Sequence, residues 1–352
     1  MPRLRADLSG LPTYKAGRRP SGDGPTYSLA SNESPYRPSP AVLAAIMAAA
    51  AAANRYPDPA STALLEGLSA ALDVPVDALA LGTGSVALCQ QIASAAAVAG
   101  DEVVFAWRSF EAYPIVTGIS GARAVKVPLT ADLRHDLSAM AAAVTADTRV
   151  VFLCTPNNPT GPALTAAEVD DFLGEVPADV LVVLDEAYHE FVTDPDVVDG
   201  VAVAQRRPNV VALRTLSKAY GLAGLRVGYA VGHPAVVGRI RAVGVPFGVS
   251  RVAEAAGVAV LAEHEEMAAR AAAIVAERER VRAALLADGW QVPQAQANFV
   301  WLPLAAHSEA FAAQCLASGF TVRAFPGEGV RVTVAEPAAN DAFLDVAARW
   351  QR

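Results

Sequence analysis

The chain has 352 residues, 36 acidic against 28 basic, for a formal net charge of −8. With a pI near 5.2, that balance excludes a broad cationic face, and with it nucleic acid or an anionic membrane surface as the main partner. Mean hydropathy is +0.30, yet the longest apolar run, 41–53, falls short of the ~20 residues that a membrane helix needs.

Taken in order, the residues up to about position 35 are rich in Pro, Gly and Ser and are expected to form an arm without regular structure. The basic residues of Met1-Pro2-Arg3-Leu4-Arg5-Ala6-Asp7 are followed by no apolar stretch, so no secretory signal is legible and a cytoplasmic setting is expected. The alanine-rich run 41–53 reads as a helix, led in by Pro-Ser-Pro and stopped by Asn54. Arg55-Tyr56-Pro57-Asp58-Pro59 is an extended turn, and 62–72 returns to helical spacing. A short strand, 78–81, then enters Gly82-Thr83-Gly84-Ser85, and a helix is expected over 86–98. Strand, glycine turn and helix together aim backbone N–H groups and a helix dipole at an anion.

That turn also matches G-x-G-x-x-A, the fingerprint of a nicotinamide dinucleotide site. A dinucleotide fold would carry its ribose-binding acid at the end of the next strand, whereas Asp101-Glu102 precedes the apolar run 103–107. Such a site gives no account of the loop at 214–226 either.

From 103 onward, apolar runs at 103–107, 123–127, 150–154, 180–184, 209–213 and 225–231 alternate with helical patterns. Short, continuously apolar strands between helices indicate an α/β fold with a mostly parallel sheet covered on both faces. A boundary is expected at Gly244-Val245-Pro246-Phe247-Gly248. Beyond it come helices at 251–262 and 265–287, a strand at 299–302, a helix at 309–317, strands at 321–324 and 330–334, and a closing helix from Asn340. The expected division is a large domain over 35–245, with 1–34 and 246–352 forming the arm and a smaller α+β domain. Cys89, Cys154 and Cys315 are odd in number and far apart, as reduced core thiols would be, and the five histidines show no metal-ligand spacing.

The loop Arg214-Thr215-Leu216-Ser217-Lys218-Ala219-Tyr220-Gly221-Leu222-Ala223-Gly224-Leu225-Arg226 sets an amine, hydroxyls and arginines at strand ends, where open α/β sheets bind ligands. Beside it stand Thr155-Pro156-Asn157-Asn158-Pro159-Thr160-Gly161 and Asp185-Glu186-Ala187-Tyr188. In this order and spacing, with Ser217-Lys218 followed eight residues later by Arg226, the chain resembles the pyridoxal-phosphate aminotransferases of the aspartate aminotransferase fold. The likeness runs from Leu11-Pro12-Thr13-Tyr14 through Asn32-Glu33-Ser34-Pro35 and Arg55-Tyr56-Pro57-Asp58 to Gly329-Val330-Arg331-Val332-Thr333.

The resemblance implies roles residue by residue. Lys218 would bond the cofactor aldehyde and carry the substrate proton. Asp185 would face the pyridine nitrogen, and Tyr188 and Asn158 the ring oxygen. Gly84, Ser85, Ser217 and Arg226 would hold the phosphate of pyridoxal 5'-phosphate, with Phe110 stacked on its ring. Tyr56 would reach across a homodimer to the neighbour's phosphate, so that active sites are shared. Arg331 and Arg323 would clamp the substrate anion, with Tyr14 and Asn32 near the substrate. Within the family, histidinol-phosphate enzymes usually follow the second glycine with Ser-Asp-Glu, and here Ser85-Val86-Ala87 stands instead. That version, Trp107-Arg108-Ser109-Phe110 and the stretch from Gln296 to Leu304 resemble the actinobacterial aromatic amino-acid enzymes. The expected reaction is therefore transfer from phenylalanine, tyrosine or tryptophan to a 2-oxo acid such as 2-oxoglutarate, with histidinol phosphate as the alternative donor.

Overall fold

A computed structural model describes residues 6–13 and 27–350; Tyr14 and the turn at 20–25 lie outside the described residues. In chain order the elements are β1 (Tyr27–Leu29), α1 (Pro40–Ala50), α2 (Thr62–Leu72), β2 (Leu79–Gly82), α3 (Ser85–Ala96), β3 (Glu102–Trp107), α4 (Tyr113–Ser120), β4 (Arg123–Pro128), α5 (Leu137–Ala142) and β5 (Thr148–Cys154). They continue with α6 (Ala166–Glu175), β6 (Leu181–Asp185), α7 (Gly200–Arg206), β7 (Val210–Thr215), β8 (Gly228–Gly232), α8 (Pro234–Ala242) and α9 (Arg251–Leu261). The last are α10 (His264–Ala287), β9 (Phe299–Leu302), α11 (Ser308–Ala317), β10 (Phe320–Phe325), β11 (Gly329–Thr333) and α12 (Pro337–Arg349).

Seven strands form the larger sheet in the order β2-β8-β7-β6-β5-β3-β4. Only β8 runs against its neighbours; the pairs from β7 to β4 are parallel. Successive side chains of a strand point to opposite faces, and in β5 both faces are apolar. Val150, Phe152 and Cys154 pack into a layer with α3, α4 and α8, while Val151 and Leu153 pack against α5, α6 and α7. Burial on both sides is why these strands are continuously apolar in sequence.

The second sheet has the order β1-β10-β11-β9. Here one expectation is corrected: the end of the arm is a core element. Tyr27–Leu29 pairs in parallel with β10, Tyr27 opposite Phe320, and Leu29 and Ala30 are buried. Its apolar-polar alternation is only three residues long, too short to stand out beside the Pro and Gly that precede it.

Several limits shift for local reasons. The alanine helix starts at Pro40 because Ser39 caps it, accepting from the N–H of Val42 at 3.1 Å. The strand expected over 225–231 begins at Gly228, because Ala223–Leu225 forms a 3-10 turn and Arg226 takes a left-handed φ of 59°. The closing helix starts at Pro337, and Asn340 lies inside it, with its side chain tied to both backbone groups of Ala335. Helix α9 follows the expected boundary yet packs with α1 and α2 in one apolar cluster that includes Leu64, Leu68, Ala253 and Val260.

Candidate active site

The sheet brings the motif residues to one edge. Asp185 ends β6, the 155–161 turn follows β5, and the loop holding Lys218 follows β7. Gly82, at the end of β2, pairs with Gly228, which in turn pairs with Thr215. The turn at 83–84 and the loop from Thr215 therefore stand side by side. Together with β10 and β11 of the second sheet they enclose a cavity of about 270 Å³. Its lining includes Asn32, Ser85, Phe110, Asn158, Asp185, Tyr188, Ser217, Lys218, Arg226, Arg323 and Arg331.

Lys218 donates from Nζ to the carbonyl of Ser31 at 3.0 Å. Burial is the main cause, and the cations Arg331 and Arg226 a further one, that its amine is pushed down to about 7 from an ordinary 10.5. The amine also lies 5.9 Å from the centre of the Tyr188 ring. Tyr188 accepts at its hydroxyl from Asn32 Nδ2 at 2.9 Å, and burial raises that phenol well above its usual range.

Asp185 is buried, and its Oδ2 accepts from the hydroxyl of Tyr113 at 2.8 Å. Burial lifts this carboxyl to about 6, against the lowering effect of the Tyr113 bond. Its other oxygen, Oδ1, has no hydrogen-bond partner among the described residues. A buried carboxylate oxygen left unpaired is costly and calls for a partner.

Anion-binding groups gather at the other end. Arg226 Nη1 donates to Ser217 Oγ at 3.2 Å and to the Ala223 carbonyl at 2.9 Å. Gly84 has a φ of 83°, and a Cβ there would stand 2.2 Å from Arg226 Nη2. A Cβ on Gly228 would stand 2.5 Å from the backbone nitrogen of Ser85. The two glycines therefore let an arginine and the start of α3 approach one point.

Arg331 is buried; it donates to Asn158 Oδ1 and, at 2.7 Å, to the carbonyl of Ala30. Arg323 instead forms an ion pair with Glu111, Nη2 to Oε2 at 2.7 Å. Phe110 is partly buried and packs edge-on to Tyr113. Tyr56 is 79% exposed and packs tilted against Phe247, ring centres 4.8 Å apart, away from this cavity.

Tyr113 and Glu111 are additions to the site, both just beyond the Trp107-Arg108-Ser109-Phe110 motif, from which only Phe110 was expected to act there. A supporting network is also new. Asn157 accepts from Ser109 Oγ at 2.8 Å, donates to the carbonyl of Arg108 at 3.2 Å and meets His135 Nε2 at 3.2 Å. Beneath the site, buried Arg214 donates to Glu186 at 2.9 Å and to Asp199 at 2.8 Å. Their signal is the polar residue within an apolar strand, as at Arg214, which demands a buried partner.

Among known proteins, the class I and II aminotransferase family matches residues 25–348. The chain is 55% identical to the aromatic amino acid aminotransferase of Streptomyces coelicolor, over all of this chain and 98% of that protein. It is likewise 55% identical to the enzyme so named from Thermobifida fusca, with the same coverage. The structure is similar, with a TM-score of 0.89 and 29% identity, to a histidinol-phosphate aminotransferase from Sinorhizobium meliloti solved with pyridoxal-5'-phosphate, covering 99% of this chain and 98% of that one.

Proposed function

The chain belongs to the class I and II aminotransferases, and we propose that it transfers the amino group of an aromatic L-amino acid to a 2-oxo acid with pyridoxal 5'-phosphate as cofactor. The observation that carries the chemistry is Lys218, a near-neutral amine sharing one cavity with Asp185, Arg226 and Arg331. The full-length identity to enzymes named for aromatic amino acids supports the substrate.

The cavity fits that cofactor. Ser217, Arg226 and the backbone at Gly84 and Ser85 would hold its phosphate, since Gly84 leaves open the space where a side chain would collide with Arg226. The unpartnered Oδ1 of Asp185 would meet the protonated pyridine nitrogen. Tyr188 and Asn158 would meet the ring oxygen, and Phe110 would cover the ring face.

When bound, the cofactor supplies an electron sink beside the substrate Cα. Lys218 Nζ, already held low in basicity, takes the Cα proton and returns it. Asp185, at about 6, is mostly ionised at neutral pH, and Tyr113 keeps it oriented. Arg331 grips the α-carboxylate through its planar fork, with Asn32 behind it on Thr333. Phe325 offers apolar surface for the substrate ring.

We also read the chain as a homodimer in which Tyr56 serves the neighbouring site, supported by the exposure of Tyr56 and Phe247. The segments 1–34 and 246–352 are read as the arm and smaller domain, supported by the pairing of β1 with β10. A cytoplasmic setting completes the reading, supported by three buried free cysteines. Phenylalanine, tyrosine or tryptophan is expected to give a higher kcat/KM than histidinol phosphate in a donor panel. A preference for histidinol phosphate over all three would overturn the substrate.

A further inference from the structure

Three consecutive residues after β1 meet three side chains of the cavity. The Ala30 carbonyl accepts from Arg331, the Ser31 carbonyl accepts from Lys218, and the Asn32 side chain donates to Tyr188. Asn32 is buried and takes a left-handed φ of 53°, a conformation that asparagine tolerates better than most residues. Thr333, the last residue of β11, holds it there. Thr333 Oγ1 accepts from the backbone N–H of Asn32 at 2.9 Å and donates to Asn32 Oδ1 at 3.0 Å. From another side, Asn298 Nδ2 donates to the Asn32 carbonyl at 3.2 Å.

An asparagine amide can be turned over, exchanging its oxygen and its nitrogen with little change of shape. Here the Thr333 hydroxyl selects one of the two arrangements. It is buried, and among the described residues its single proton has Asn32 Oδ1 as acceptor. Turned over, the amide would present Nδ2 to Thr333 and strand that proton in the interior, which is costly. With Oδ1 on Thr333, Nδ2 faces Tyr188, so the Tyr188 hydroxyl accepts from Asn32 and keeps its own proton for another acceptor. Asn32 is that hydroxyl's only hydrogen-bond partner among the described residues, and Tyr188 lines the cavity. We infer that Thr333 is a positioning residue: by fixing the Asn32 amide, it directs the Tyr188 proton into the cavity, toward the ring oxygen of the cofactor. This inference rests on the proposed placement of Tyr188 at that oxygen and adds the residue that sets the direction of its hydrogen bond.

The test uses the holoenzyme without substrate and reads the pH midpoint at which the absorbance of bound pyridoxal 5'-phosphate changes. A proton donated to the ring oxygen stabilises the more negative, deprotonated state of the bound group, so losing the donor raises the midpoint. Thr333→Val keeps the side chain's shape and removes the hydroxyl. It should raise the midpoint by about one pH unit, the size of one lost hydrogen bond, and weaken cofactor binding about threefold or more. Tyr188→Phe removes the proton itself and should raise the midpoint at least as far. The double variant decides the matter. With no Tyr188 proton left to direct, adding Thr333→Val should move the midpoint by less than about 0.3 unit beyond Tyr188→Phe alone, whereas a merely structural Thr333 would shift it in both backgrounds. The charged groups around Tyr188, namely Lys218, Asp185 and Arg331, are the same in all four proteins. Thr333→Ser restores a hydroxyl and should stay within about 0.3 unit of wild type. Thr333→Ala, a second variant without the hydroxyl, should match Thr333→Val and serves in its place if the valine variant folds poorly. An unchanged midpoint without the hydroxyl, a serine variant that shifts as far as valine, or equal shifts in both backgrounds would overturn the inference alone. An unchanged midpoint in Tyr188→Phe would overturn the placement of Tyr188 at the ring oxygen, and the inference with it.

Discussion

At the scale of single residues, the cavity's chemistry depends on an amine made unusually acidic by its surroundings. The chain has three lysines, Lys15, Lys126 and Lys218, so Lys218 can be followed individually. In the cofactor-free protein its reaction with an amine-specific acylating reagent should rise with pH through about 7; mass mapping of labelled peptides would show it. The sign also fixes a stability effect. The unfolded lysine binds its proton up to about 10.5 while the folded one releases it near 7, so folded stability grows as pH rises across that window. Lys218→Met should therefore stabilise the cofactor-free protein at pH 7, with the gain shrinking toward 10.5 in urea titrations. The same variant should lose transamination and the borohydride-reducible link to the cofactor. Tyr113→Phe is expected to lower kcat by about five- to tenfold, the worth of roughly 1 kcal/mol, through loss of the bond to Asp185. Lys218, Asp185, Tyr188 and Arg226 were legible because each sits in a short motif whose spacing is set by a strand end. Tyr113 was not, since its ring stacks on Phe152 of β5 at 4.7 Å and reaches Asp185 across a strand that sequence spacing does not reveal.

Among elements, the turn between β2 and α3 shows how backbone shape reaches the chemistry. The left-handed φ of Gly84 and its closeness to Arg226 leave no room for a Cβ. Gly84→Ala should keep the far-UV circular dichroism of the wild type but weaken cofactor binding about tenfold or more in fluorescence titration, equivalent to at least ~1.4 kcal/mol. A contrasting change lies at the start of α6. There Thr165 and Glu168 form a reciprocal cap, with bonds of 3.2 Å and 2.7 Å. Thr165→Ala should cost about 1 kcal/mol in denaturant unfolding with kcat unchanged, because α6 lies on the sheet face served by Val169 and Phe172. The central strands and most helices could be read from sequence because burial on both faces makes them apolar without interruption. The 3-10 turn before β8 could not, since Leu225 and Val227 look like strand residues and only the left-handed Arg226 separates them. β1 escaped for the opposite reason, being three residues whose pairing partner lies near position 320.

Across the whole molecule, Tyr56 is the residue whose place in one chain does not match the role its motif implies. It is 79% exposed and absent from the lining of its own chain's cavity. A role at a cofactor phosphate therefore requires the cavity of a second copy. Two exposed apolar side chains lie in the loop that meets it: Phe247, 41% exposed, packs tilted against its ring, and Val245, two residues earlier, is 77% exposed. Large apolar side chains gathered on a surface mark an interaction site, and a two-fold pairing would bury the same patch on both copies. Sedimentation at assay concentrations should show a dimer, with each partner covering about 800 Å² or more. Val245→Asp places a charge in that patch and should shift the protein toward monomer while weakening cofactor binding, because each site then loses the other chain's Tyr56. Tyr56→Phe separates the two effects: it retains the apolar ring, so it should remain a dimer, yet it lacks the hydroxyl and should hold the cofactor less tightly. A fully active monomer, or a Tyr56→Phe dimer with wild-type cofactor affinity, would show that each chain completes its own site.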